Sequence, residues 1–233
     1  MRFLSVFIVI SWFVILPLLG QDVEKPKDSE VWLRFMAFGS GQSEVEAVIA
    51  SEEKLSDPFK IRGDSFSSVV TLPSTERLVT LGNPVKGDDE KLSIRPITKF
   101  ELPKEGKRFL VVLVPKSPKG LRAIVIRGDG KGFQPGEIQF INLSNEDFGA
   151  DLGGTKFKIA KNGRKVFRPI QTDKKLANYQ MRLFSFEEGK KPRKFAATLW
   201  PYLKAKRAYI FLYREPKTKK ARFLAVDEYT SWL

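Results

Sequence analysis

Residues 107–126, KRFLVVLVPKSPKGLRAIVI, and residues 206–226, KRAYIFLYREPKTKKARFLAV, decide how this 233-residue chain is read. Each opens on Lys-Arg, runs through a block of β-branched and aromatic residues, and turns at a Pro-Lys. Each then passes an Arg (Arg122, Arg222) into a second apolar block. Val, Ile, Phe and Tyr between Pro and Lys punctuation is strand–turn–strand chemistry. Arg207 follows Arg108 by 99 positions, and Arg222 follows Arg122 by 100. Upstream, LRFMAFGS (33–40) is echoed by IQFINLSN (138–145), and PFKI (58–61) by KFKI (156–159), in the same order. A period near one hundred residues is the size of one immunoglobulin-like sandwich. The competing reading is chance likeness between hairpins, which draw on a small alphabet.

The pattern predicts an all-β chain of two tandem immunoglobulin-like β-sandwich domains arising from an internal duplication, preceded by a signal peptide. The expected divisions are 1–20 (signal peptide), 21–30 (linker), 31–127 (first sandwich) and 128–233 (second, basic sandwich). The quoted stretches are then terminal hairpins whose apolar blocks fill each core. Strands are expected at 31–38, 66–73, 92–103, 108–114, 121–126, 136–144, 155–160, 165–170, 179–187, 194–200, 207–213 and 222–228. FLVVLV (109–114) is apolar on both faces, as in a strand covered on each side. SGQSEVEAVIASEEKL (40–55) reads as a short helix.

The first twenty residues, MRFLSVFIVISWFVILPLLG, have an early Arg2, an apolar run over 3–15, a breaker at Pro17 and a small residue at Gly20. That is the layout of a secretory signal cut after Gly20. An uncleaved anchor over 3–19 is the alternative, at the short end of bilayer-spanning length. Either places the body outside the cytoplasm, in a periplasm or extracellular space.

Composition removes whole chemistries. With no Cys, disulfides and thiolate sites are excluded, and with no His the usual neutral-pH acid/base and the commonest metal ligand are missing. Hydrolases built on Ser–His or Cys–His cannot exist here. No cofactor is implied. Paired carboxylates remain as a catalytic alternative, but no Asp/Glu pair stands in an apolar setting. The net charge of +14 is uneven: residues 21–127 hold 18 Lys/Arg against 16 Asp/Glu, whereas residues 128–233 hold 22 against 11. Such asymmetry points to a polyanionic neighbour, or to solvated strand faces and edges.

FQPGEIQFINLSNEDFGADLGG (133–154), with its Pro-Gly turn, Asn-Leu-Ser strand end and glycine turn, resembles secreted or periplasmic bacterial β-sandwich proteins of unknown function. The resemblance covers the second half of the chain. It implies export and a sandwich fold, and nothing about activity.

The candidate polyanion-binding residues fall in three clusters: Lys161, Arg164, Lys165 and Arg168; Lys190, Lys191, Arg193 and Lys194; and Lys217, Lys219, Lys220 and Arg222. A fourth basic run, KAKR (204–207), joins them. Aromatics such as Phe167, Trp200, Tyr202 and Tyr213 would add stacking if the clusters met. Hairpin loops at opposite ends of a sandwich would keep them apart. Candidate partners are an anionic glycan, lipid headgroups or an envelope protein. Export disfavours nucleic acid. Two RGD tripeptides (62–64, 127–129) read as turns rather than adhesion motifs. The acidic turns GDDE (87–90) and NED (145–147) lack the ligand ladder of a calcium loop. Asn142-Leu143-Ser144 matches a glycosylation sequon but reads as a structural turn cap. Three functions follow: a binding or structural module acting through charge, an accessory domain acting through a strand edge, and a carboxylate-based hydrolase.

Overall fold

The computed structural model describes residues 27–38, 44–51, 55–86, 92–115, 120–129, 132–169, 176–187, 189–215 and 218–229. The expected signal segment, the GDDE stretch and Lys217 lie outside the described residues. Among the described residues every regular element is a strand. The first eight are β1 (Glu30–Ala37), β2 (Val45–Ala50), β3 (Phe59–Ile61), β4 (Val70–Pro73), β5 (Leu78–Lys86), β6 (Leu92–Glu101), β7 (Arg108–Pro115) and β8 (Leu121–Arg127). The second eight are β9 (Ile138–Asn142), β10 (Phe148–Leu152), β11 (Thr155–Ile159), β12 (Arg164–Phe167), β13 (Leu176–Ser185), β14 (Arg193–Leu203), β15 (Lys206–Arg214) and β16 (Ala221–Tyr229).

The two sets of eight build the same object. Sheets β4-β1-β7-β8 and β3-β2-β5-β6 recur as β12-β9-β15-β16 and β11-β10-β13-β14. Even the register repeats. In the parallel pair β1–β7, Leu33 faces Phe109, and in β9–β15 Ile138 faces Ala208. In the terminal hairpins Val114 pairs with Arg122 and Tyr213 with Arg222. The PFKI and KFKI echoes are β3 and β11, with Ala47 opposite Phe59 and Ala150 opposite Phe157. Repeated sequence has become repeated pairing, strand by strand.

The apolar blocks of the hairpins do more than fill two cores. Side chains alternate across a strand, so Phe109, Val111 and Leu113 enter the core of the first half. Ala208, Ile210 and Leu212 enter the core of the second. Their neighbours Leu110, Val112 and Val114 point the other way and meet Tyr209, Phe211 and Tyr213 in a third cluster shared by the halves. Sheets β4-β1-β7-β8 and β12-β9-β15-β16 therefore pack outer face to outer face. Strands β7 and β15 are buried on both sides, which is why neither shows polar alternation. The C-terminal end of β1 meets that of β15: Phe38 lies edge-on to Tyr213, ring centroids 4.5 Å apart, and 6.1 Å from Phe211.

Two expectations are corrected. Residues 45–50, read as part of a helix, form β2 instead, because Ala47, Val48 and Ile49 are fully buried between β3 and β5. Strands β5 and β10 went unmarked because both contain turn-type residues. Gly82 of β5 sits beside a β-bulge, where a Cβ would fall 2.4 Å from the Arg95 carbonyl oxygen. Gly149 of β10 lies under the Phe186 ring, 2.8 Å from where a Cβ would stand.

Because Phe211 is fully buried in the shared layer rather than in either core, Phe211→Ala should cost about 3–5 kcal/mol. Differential scanning calorimetry should show both halves melting in one earlier transition. Loss of stability confined to the second half would contradict a shared layer.

Candidate functional site

Strands β13 to β16 run up and down as two hairpins, β13–β14 in one sheet and β15–β16 in the facing sheet, joined by the short turn at 204–205. In such a run alternate turns fall at the same end. The β13–β14 turn, carrying Lys190, Lys191, Arg193 and Lys194, therefore lies at the same end as the β15–β16 turn, carrying Lys219, Lys220 and Arg222. The expectation that these loops are kept apart is overturned for these two clusters. They belong to edge hairpins of facing sheets and border one open groove of about 560 Å³, lined by Arg193, Lys194, Phe195, Arg214, Lys219, Lys220 and Arg222 among others.

The cations of the groove are not equally free. Arg214 is held by Glu146 and by Glu187, the latter at 3.4 Å, and Arg222 sits 3.5 Å from Glu215. Lys190 bonds Glu187 at 2.8 Å. Arg193, Lys194, Lys219 and Lys220 pair with no carboxylate among the described residues, so their charge faces the groove and solvent. Lys219 adopts a left-handed backbone (φ 58°) that closes the turn and donates its amide to the Glu215 carbonyl at 2.9 Å. Glu187 is the carboxylate on the wall, and hydrogen bonding and charge from Lys190, with help from Arg214, hold its pKa below the usual carboxylate range. A carboxylate kept anionic this way is poorly suited to donate a proton.

The remaining candidates are dispersed. Lys161 follows β11 at the groove end, its amide bonded to Asp147 Oδ1 at 2.9 Å. Arg164 reaches across the shared layer and donates to the Val125 carbonyl of the first half at 3.1 Å. Lys165 is exposed on β12, opposite Phe140. Arg168 lies at the far end, bound to Glu137 at 2.5 Å. The KAKR run occupies the β14–β15 turn, also at the far end, where Lys206 pairs with Asp227 at 2.6 Å and Arg207 is buried. The aromatics expected to stack on a ligand are committed elsewhere: Phe167 and Trp200 are buried in the second core, Tyr202 is buried, and Tyr213 packs on Phe38. Phe195, half-buried on the groove wall, is the ring actually present there.

The short motifs resolve into structure. In the first RGD, Arg62 Nε donates to Asp64 at 3.2 Å; in the second, Arg127 Nε donates to Asp129 at 2.8 Å, and Asp129 also caps the Lys107 amide at 2.7 Å. In both, Arg and Asp bind each other instead of presenting two separate charges. In the NED turn Glu146 holds Arg214, and Asp147 holds Lys158 at 2.5 Å. Among the described residues no group of acidic side chains is arranged to hold a metal ion. Asn142 of the sequon is buried. Its amide donates to the carbonyls of Glu146, Ile159 and Ala160 at 2.7, 3.3 and 3.0 Å, and its Oδ1 accepts from the Ser144 amide at 2.9 Å.

Sequence reasoning missed a buried ionic cluster between the halves. Arg207 Nε donates to Glu228 Oε2 at 2.6 Å, and the Tyr209 hydroxyl donates to the same oxygen at 2.9 Å. Arg207 also donates to the Phe133 carbonyl at 3.1 Å and lies over the Phe133 ring, 4.9 Å from its centroid. From the first half, Arg34 approaches Glu228 Oε1 to 3.9 Å. The cross-strand pairing of Arg207 with Glu228 was readable from the hairpin register, but nothing local marked either residue as buried.

No protein-family model and no curated protein matches the chain. Among solved structures, the chain is similar to "a putative cell adhesion protein from Bacteroides uniformis", at 8% identity and a TM-score of 0.26, over 90% of this chain and 100% of that one. A likeness that slight carries no argument.

Two expectations test these assignments. Asn142→Ala removes the donor that ties the Glu146 carbonyl to those of Ile159 and Ala160, of which Ala160 keeps the Gly163 amide and Glu146 the Ser144 hydroxyl, and should cost about 1–2 kcal/mol in urea unfolding; a neutral effect would mean the cap is dispensable. Burial, and then the charge of Glu228, raise the Tyr209 pKa well above its ordinary value of 10.0. Unfolding lets Tyr209 ionise more readily, so its contribution is intact below about pH 10 and is lost as pH rises toward the folded value. Urea titrations between neutral and strongly alkaline pH should show a steeper alkaline loss in the wild type than in Tyr209→Phe, and parallel curves would refute this.

Proposed function

We propose that the protein is an exported, non-catalytic binding module whose second half holds a polyanion in the groove between the β13–β14 and β15–β16 turns. The observation that carries this reading is the convergence of Arg193, Lys194, Lys219 and Lys220, without carboxylate partners among the described residues, on one groove. Like charges held together cost free energy through mutual repulsion. A bound polyanion removes that cost and releases its own counterions.

The fold itself does not demand the charge. The β5–β6 loop of the first half occupies the equivalent place in the chain order, and its sequence is Gly-Asp-Asp-Glu-Lys (87–91) against Gly-Lys-Lys-Pro-Arg (189–193). The stretch joining β5 to β6 is thus acidic in sequence, and the one joining β13 to β14 is basic. Strand-edge pairing is disfavoured at β6 and β14, where Pro96 and Pro201 each remove an amide donor, which leaves β8 and β16 as the proline-free long edges for that reading. The hydrolase alternative would need two carboxylates facing each other across the groove, whereas Glu187 on its wall is tied to Lys190 and Arg214.

Binding to an immobilised sulfated or uronic polysaccharide tests the proposal. Wild-type protein should be retained at low salt and elute as salt rises. The paired variant Lys194→Glu/Lys220→Glu should weaken binding at least tenfold, on the order of 1.4 kcal/mol or more, with an unchanged melting temperature. Retention equal to wild type would overturn the polyanion reading.

A further inference from the structure

The basic groove does not stop at the second half. Arg214, on its wall, also borders a second hollow of about 160 Å³ at the junction of the halves, formed with Phe38, Val114, Pro115, Leu143 and Tyr213. Arg122 and Leu143 then lead from that hollow into a third, of about 300 Å³, which Asn162 and Arg164 close. Neighbouring hollows share lining residues, Arg214 between the first two and Arg122 and Leu143 between the last two, so they lie side by side as a track across the junction. It is basic at the groove, apolar where it crosses the shared layer, and basic again at Arg122 and Arg164. Neither of these two arginines pairs with a carboxylate among the described residues. Arg122 comes from the first half, so the complete track exists only when the halves are packed together.

Resting on the polyanion reading, we propose that the ligand is a linear acidic polysaccharide bound along this whole track, with Arg122 and Arg164 as its far-end contacts. The alternation of the track selects the chemistry. A sugar ring offers C–H faces to an apolar floor and carboxylate or sulfate groups to flanking cations. The apolar middle, Val114, Pro115 and Leu143, lies between the free cations of the groove and Arg122, with Arg214 there already held by Glu146 and Glu187; it suits such a ring and offers little to a uniformly charged polymer. Nucleic acid would want open rings along its whole path for base stacking, whereas Phe195 on the groove wall is half-buried and, at the crossing, Phe38 is buried and caps Tyr213 edge-on. A bilayer presents a plane of headgroups, which cannot follow a concave track.

Isothermal titration of the full chain with size-fractionated oligogalacturonates, from the disaccharide to the dodecasaccharide, tests this. Affinity should keep rising with length beyond the oligomer that fills the β13–β16 groove. Arg122→Gln/Arg164→Gln should lower affinity for the dodecasaccharide roughly tenfold, the scale of losing charge-assisted contacts. It should leave affinity for the shortest binding oligomer unchanged, which also shows that the variant is folded. Arg122→Lys should retain most of the long-oligomer affinity.

If affinity levels off at the shortest binding oligomer, or the double variant binds all lengths as wild type does, the extended track is refuted while the groove reading stands. If Lys194→Glu/Lys220→Glu also leaves binding unchanged, the groove reading falls with it. Tighter binding of oligothymidylate or of phosphatidylglycerol vesicles than of any oligogalacturonate would overturn the polysaccharide assignment and leave only the charge.

Discussion

Strands β7 and β15 are covered on both faces, and the arrangement of the molecule depends on that. A sandwich needs one buried face per sheet; these sheets bury two. Leu110 and Val112 on one side and Tyr209 and Phe211 on the other are fully shielded from water, although none belongs to the core of its own half. Separating the halves would expose this aromatic and aliphatic layer, so the hydrophobic effect holds four sheets as one stack. Within the layer lies the Arg207–Glu228 pair, joined by Tyr209 and approached by Arg34. A buried ion pair adds little net stability over an apolar filling, because desolvation offsets its attraction. Arg207 and Glu228 face each other across the β15–β16 hairpin, so the pair fixes the register of that hairpin, and Arg34 is the charge that reaches it from the first half.

The asymmetry of that cluster shows how two similar halves came to fit one another. Arg108 is the counterpart of Arg207, but its partner position holds Gly128, whose amide bonds the Arg108 carbonyl at 2.7 Å. The position of Tyr209 is Leu110 in the first half. One half supplies the buried acid and hydroxyl, and the other supplies aliphatic surface and Arg34. Arg108, itself buried, lies within electrostatic reach of Arg207 and Glu228, so the single glutamate serves cations of both halves.

The fold was legible where the chain used strand chemistry plainly. The hairpin echoes fixed the class, and the register of β15–β16 on β7–β8 followed from Arg108, Arg122, Arg207 and Arg222. It was illegible where glycine or a carboxylate served packing instead of turning. Gly82 and Gly149 sit inside strands because a neighbouring carbonyl or ring occupies the space of a Cβ, and no local pattern announces a long-range approach. The double-sided apolarity of residues 109–114 was visible, but the identity of the second covering layer was not. Alternation reports that a face is buried and never what buries it.

The groove was closer to legible than it first looked. The turns at 186–192 and 215–220 are separated by a single intervening turn, at 204–205, and in antiparallel strands alternate turns share an end. Parity alone brings Lys194 and Lys220 together and sends the KAKR run to the other side. What parity cannot supply is which cations remain free. Arg214 is as basic in sequence as Lys194, yet Glu146 and Glu187 neutralise it, and Glu146 is delivered from 68 positions away by the β9–β10 turn. Charge that is spent inside the fold and charge that is left to bind look the same in a sequence. The difference lies in which carboxylates the topology brings within reach, and at this groove it leaves Arg193, Lys194, Lys219 and Lys220 without one among the described residues.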